Sequence, residues 1–107
     1  MKIIKNVLEE ELKKAMLAQG EYEKALAALP RGVLVKKYVK GRQYCYLMSR
    51  EKGKVQFAYK GKLFGKDIKY YDAVKADRAR YRTLLSEAKK RIAFLKKILR
   101  GRELHAV

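Results

Sequence analysis

Tryptophan is absent from this chain, and cysteine, histidine and proline occur once each, as Cys45, His105 and Pro30. A single cysteine excludes an internal disulfide framework and suits a reducing compartment. With one cysteine and one histidine, a zinc site of the usual four ligands cannot be assembled. A Cys–His nucleophilic pair would have to bring Cys45, in a β-rich run, to His105 at the far end of the sequence. A lone strand cysteine reads more simply as a small buried apolar residue.

Long apolar runs are missing as well. The longest stretch without a charged residue is residues 43–49, far short of the ~20 residues that a bilayer span needs. Residues 1–11, with Lys2, Lys5 and then Glu9-Glu10-Glu11, lack the pattern of a signal peptide. The expectation is a cytoplasmic protein that does not engage a membrane.

Acidic residues are scarce: 11 Asp and Glu stand against 28 Lys and Arg, a formal net charge of +17. Asp67, Asp72 and Asp77 recur every five residues, and a five-residue step turns a helix by about 500°, so these carboxylates do not share a face that could hold Mg²⁺. The run from Tyr59 to Lys66 is rich in glycine and lysine but lacks the spacing of a phosphate-cradling loop. These residues predict no enzyme: no catalytic residue, no metal and no cofactor. Mimicry of DNA, which needs charge of the opposite sign, is excluded too.

What is present is a folded chain. Its 107 residues suit a single domain, 1–107, with one modest core. An apolar share of 49% separates it from disordered basic tails. The charge is polarised along the sequence. Residues 1–30 carry five bases and five acids, residues 31–65 ten bases and one acid, and residues 66–107 thirteen bases and five acids. Such a field marks a binding face on the last two segments.

Periodicity divides the chain in three. In the first helix, 1–30, Leu8, Leu12, Ala15, Gln19, Tyr22, Leu26 and Leu29 alternate in steps of four and three, which lays one stripe along a helix. The acids at 9–11 would complement its dipole; Pro30 stops it and Gly32 supplies the exit. Residues 33–60 hold three β-rich runs separated by Lys40-Gly41 and Lys52-Gly53, the pattern of an antiparallel meander. A second helix over 67–100 takes Asp67 as N-cap and Gly101 as C-terminal stop, with 101–107 as a tail. Its seam is Tyr71, Val74, Arg78, Tyr81, Leu85, Ala88, Ile92, Leu95 and Leu99. Two matching seams around a meander predict an α+β fold: long helix, three-stranded antiparallel meander, long helix, with the two helices packed as an antiparallel pair.

Strand alternation then sorts the sheet residues. With Val35, Val39, Cys45, Leu47, Val55 and Phe57 packed on the helices, the other face shows Lys36, Tyr38, Lys40, Arg42, Tyr44, Tyr46, Lys54 and Lys60. Rings on which bases stack, at about 1–3 kcal/mol per base, beside cations for phosphates suit single-stranded nucleic acid. The flipped register, with Tyr44 and Tyr46 in the core, is the open alternative. On the second helix Lys75, Arg78, Arg82, Lys89 and Lys96 fall three, four and seven residues apart and form a second basic strip. Arg78, at a seam position, would pair with an acid of the first helix such as Glu21 or Glu23.

Leu29-Pro30-Arg31-Gly32-Val33-Leu34, Lys40-Gly41-Arg42-Gln43-Tyr44-Cys45-Tyr46-Leu47, Arg50-Glu51-Lys52-Gly53-Lys54-Val55 and Tyr59-Lys60-Gly61-Lys62 together resemble a group of small uncharacterised basic proteins of bacteria and their mobile elements. Those proteins pair a Leu-Pro-x-Gly helix exit with a Tyr-rich hairpin between two charged helices. The resemblance covers residues 29–62 and implies the same architecture, with no catalytic residue to carry over. Cys45 departs from the aromatic residue usual between the two tyrosines.

The leading expectation is a non-catalytic nucleic-acid-binding protein, RNA ahead of DNA. Small size and the mobile-element resemblance suggest one form of it, an inhibitor of a nucleic-acid-guided nuclease (an anti-CRISPR) that competes for guide RNA or docks on the CRISPR effector. The alternative is a protein-interaction module in which the seam of the first helix forms a homodimer.

Overall fold

The computed structural model describes residues 2–61, 63 and 65–105. The elements are α1 (Lys2–Ala28), β1 (Val33–Val39), β2 (Arg42–Glu51), β3 (Lys54–Gly61) and α2 (Gly65–His105), the α+β order that the periodicity predicts. Among the described residues no helix is long and apolar enough to cross a membrane.

The helix ends differ from expectation. α1 starts at Lys2 and has no acid in its first turn, so Glu9, Glu10 and Glu11 lie too far along it to meet the dipole, whose effect fades within one turn. It stops before Leu29, because the residue preceding a proline is sterically turned away from the helical region. α2 begins at Gly65, which places Asp67 inside the first turn, where it faces the positive end of the dipole without being the cap. α2 also runs through Gly101 to His105. Gly101 is not among the glycines with positive φ, and a glycine ends a helix only where the chain turns left-handed. The expected tail is therefore helical as far as His105; Ala106 and Val107 lie outside the described residues.

The chain divides into two compact units. In the first, α1 packs against residues 80–105 of α2. Tyr22 meets Tyr81 with ring centroids 6.4 Å apart, and Arg91 Nη2 donates to Glu11 Oε2 at 2.8 Å. Advance along one helix is retreat along the other, so the pair is antiparallel. Ala15, Ala88, Ile92, Leu95 and Leu99 are buried, and Leu8, Leu12, Gln19, Tyr22, Leu26, Tyr81 and Leu85 are half-buried. The polar seam residue Gln19 is accommodated because its Nε2 donates to Glu23 Oε1 at 3.0 Å. The Arg91 hydrogen bond, and next the nearby charge of Lys14, hold the Glu11 carboxyl below its ordinary pKa.

The second unit holds the sheet, in order β1-β2-β3, and residues 65–79 of α2. Both hairpins close through two residues, since Val39 pairs with Arg42 and Glu51 with Lys54. Lys40 and Gly41 have φ of 51° and 78°, and Lys52 and Gly53 of 50° and 78°. Two successive left-handed residues make the type I′ turn, whose twist matches that of the strands it joins.

One sheet face is closed by the helix. Leu34, Cys45 and Leu47 share it by register, and Cys45 is 1% exposed, the most buried side chain described. Lys36, on the same face, places Nζ 4.0 Å from Asp72 Oδ2, and Val74 is buried. Arg78, expected to pair with Glu21 or Glu23, has backbone partners within its own unit. It donates to the carbonyls of Pro30, at 2.5 Å, and Gly32, at 3.3 Å, and so satisfies backbone acceptors of the connection between α1 and β1.

Candidate nucleic-acid interface

The register redraws the face expected from alternation. With Val39 opposite Arg42, the pairs Lys37 with Tyr44, Val35 with Tyr46 and Val33 with Met48 share one side. β3 adds Tyr59 opposite Tyr46, Phe57 opposite Met48 and Val55 opposite Arg50. Val35, Val39, Val55 and Phe57 thus lie with the tyrosines, and of the expected core set only Cys45 and Leu47 face the helix. The physical reason is the period of two: apolar residues taken from different strands share a face only if the pairing allows it.

Three rings meet on this open face and a fourth shares it. Tyr59 lies 5.3 Å from Tyr46 and 6.4 Å from Tyr44 between centroids, and Phe57 stands one row along. Cys45 pairs with Gly61 while Tyr46 pairs with Tyr59, so Lys60 is the extra residue of a bulge, the device that re-aims a strand side chain. Here it lets Tyr59 approach both tyrosines of β2. Phe57 and Tyr59 are 54% and 59% exposed; Tyr44 and Tyr46 are half-buried.

Cations interleave with the rings. Lys37 Nζ lies 5.3 Å from the Tyr46 centroid and 5.6 Å from that of Phe57, within the range of cation–π attraction. Arg42 and Arg50, both exposed, stand toward opposite ends of β2 on the same face. Among the described residues, no Asp or Glu occupies a strand position on this face.

The residues singled out by sequence therefore separate. Arg42, Tyr44 and Tyr46 come together on the open face. Lys36 and Tyr38 lie on the other side, Lys36 against Asp72 and Tyr38 73% exposed. Lys40 is a turn residue, Lys54 sits opposite Glu51 on the closed side, and Lys60 occupies the bulge. On α2, Lys75, Arg82, Lys89 and Lys96 are exposed, whereas Arg78 is tied to the exit carbonyls. Lys37, Arg50, Phe57 and Tyr59 were not anticipated. The signal that would have found them is the length of the Lys40-Gly41 and Lys52-Gly53 turns: two-residue loops dictate the pairing of everything beyond them.

Elsewhere, no three His, Cys, Asp or Glu side chains converge among the described residues. An open groove of about 290 Å³ between α1 and α2 is lined mainly by Ala15, Ala18, Tyr22, Leu84 and Ala88. Comparison with protein-family models, with curated proteins and with solved structures finds no match to the chain.

Proposed function

We propose that the protein is a non-catalytic binder of single-stranded nucleic acid, RNA ahead of DNA. The observation that carries this reading is the open sheet face, where Tyr44, Tyr46, Phe57 and Tyr59 stand among Lys37, Arg42 and Arg50 without an acid. Every base has a π-face to stack on such rings, and each base brings a phosphate for the cations. RNA leads because its loops, bulges and ends present unstacked bases. Lys75, Arg82, Lys89 and Lys96 of α2 add attraction for any polyanion. The same chemistry would let the protein take guide RNA from a nucleic-acid-guided nuclease.

Homodimerisation through the seam of α1 is the less favoured reading. Within the chain that seam is already covered by α2, with Ala15 6% exposed and Tyr22 against Tyr81.

Equal lengths of single-stranded RNA, duplex RNA and duplex DNA, titrated at several salt concentrations, test the proposal. Single strands should bind tightest, with a steep fall of log K against log salt, and Tyr46→Ala or Phe57→Ala should weaken them by about tenfold or more. Binding that ignores strandedness and survives loss of the rings would overturn it.

A further inference from the structure

We infer that Lys37 is the anchoring cation of a dinucleotide subsite: its ammonium rests against Tyr46 and Phe57 in the free protein and takes the phosphate between two bases stacked on those rings in the complex. The inference rests on the single-strand reading of the open face.

Position comes first. Lys37 stands opposite Tyr44 on β1, yet its Nζ reaches the rings of Tyr46 and Phe57, while Arg42 and Arg50 occupy opposite ends of β2. Any ligand that covers the rings therefore also strips water from the Lys37 ammonium. A buried charge left unpaired is expensive, so the ligand must bring an anion to the middle of the aromatic patch. A neutral or apolar occupant fails this test, and a phosphodiester between two bases meets it. The exchange is favourable, because an exposed cation–π contact is weak and a charge-assisted hydrogen bond to phosphate is strong.

Spacing points the same way. Tyr46 and Phe57 belong to adjacent strands and successive rows of one face, and the backbone positions of such diagonal neighbours lie about 7–8 Å apart. Stacked bases in a duplex strand rise by only about 3.4 Å. Two bases can lie on these two rings only when they are splayed, which selects an unpaired strand.

The probe is a labelled ten-nucleotide oligouridylate. Lys37→Met keeps the apolar stem and removes the charge, Lys37→Arg keeps the charge, and Lys66→Met removes an exposed lysine of α2 as control. Lys37→Met should bind about 5- to 10-fold more weakly at low salt and lower the salt slope by about 0.7, the share of one phosphate on a single strand. Lys37→Arg should retain both, and Lys66→Met should change neither appreciably. By NMR, the Lys37 side-chain protons should lose their ring-current shift as RNA saturates the site. The inference is overturned if Lys37→Met matches the Lys66→Met control or binds more tightly, since the lysine would then only shield the rings. Should Tyr46→Ala and Phe57→Ala both bind like wild type, the single-strand reading falls with it; with the rings required and Lys37 dispensable, only the anchor falls.

Discussion

The two faces of one three-stranded sheet differ in a direction that hydrophobicity alone does not explain. The face under α2 carries, beside Leu34, Leu47 and the exposed Tyr38 at its edge, small and polar residues: Cys45, Ser49, Gln43, Ala58 and Lys36. The open face carries the larger set of apolar and aromatic side chains, with Val39, Val55, Phe57 and Tyr59 about half exposed or more. Small residues let a helix approach closely enough to bury Cys45 and Val74, whereas a row of rings would hold it off. A contiguous exposed apolar patch of this kind marks an interaction surface. Cys45, standing between Tyr44 and Tyr46, points to the helix and leaves the ring cluster unbroken, with Tyr59 and Phe57 supplied by β3.

The sharpest way to probe the closed face is Gly32→Ala. Gly32 has φ of 103°, and a Cβ there would lie 2.8 Å from Leu47 Cγ. Overpacking together with the left-handed backbone should cost about 2–4 kcal/mol, read as a lower urea midpoint, while RNA affinity of the folded fraction is kept. Next comes a matched pair. Cys45→Ser puts a hydroxyl in a buried site and should cost about 1–3 kcal/mol. Phe57→Ser, on the open face, should cost under about 1 kcal/mol. Their effects on RNA binding should be reversed, and equal costs in both assays would mean that the faces are not specialised.

Lys52→Asn serves both faces alike. Asparagine tolerates the left-handed conformation better than lysine, so the hairpin should gain about 0.5 kcal/mol with RNA affinity unchanged. The smallest effect belongs to the helix pair. The Glu11 carboxyl titrates below its ordinary value in the folded chain, so its stabilising contribution is present above the usual carboxylate range and is lost as pH falls through the lowered pKa. Melting curves of wild type and Glu11→Gln should therefore differ slightly near neutrality and converge in acid, with the open face binding RNA equally in both.

The helical seams were fully legible: every seam position named from sequence within the helices is buried or half-buried, because a 4-3 spacing needs no knowledge of what covers it. Arg78 was legible as an anomaly in that seam, but its partners were not. They are backbone carbonyls of residues 30 and 32, which carry no sequence signature. On the sheet, the spacing of Arg42, Tyr44 and Tyr46 along one strand suffices to place them on one face. Hydrophobicity places Lys36 and Tyr38 beside them and Phe57 and Val39 opposite, whereas strand pairing does the reverse, and only pairing relates the faces of different strands.

Sequence by itself determined the order of elements, the two helical stripes, the turn positions and the concentration of charge in the last two thirds of the chain. These are local properties, set by side-chain period, by proline and glycine, and by composition. Tertiary structure decided which side of the meander the helix covers, which rings meet, and that Lys37 lies over two of them. Those depend on inter-strand register and on how closely a helix can approach a surface, and both are settled by packing between residues that are remote or neutral in the one-dimensional pattern.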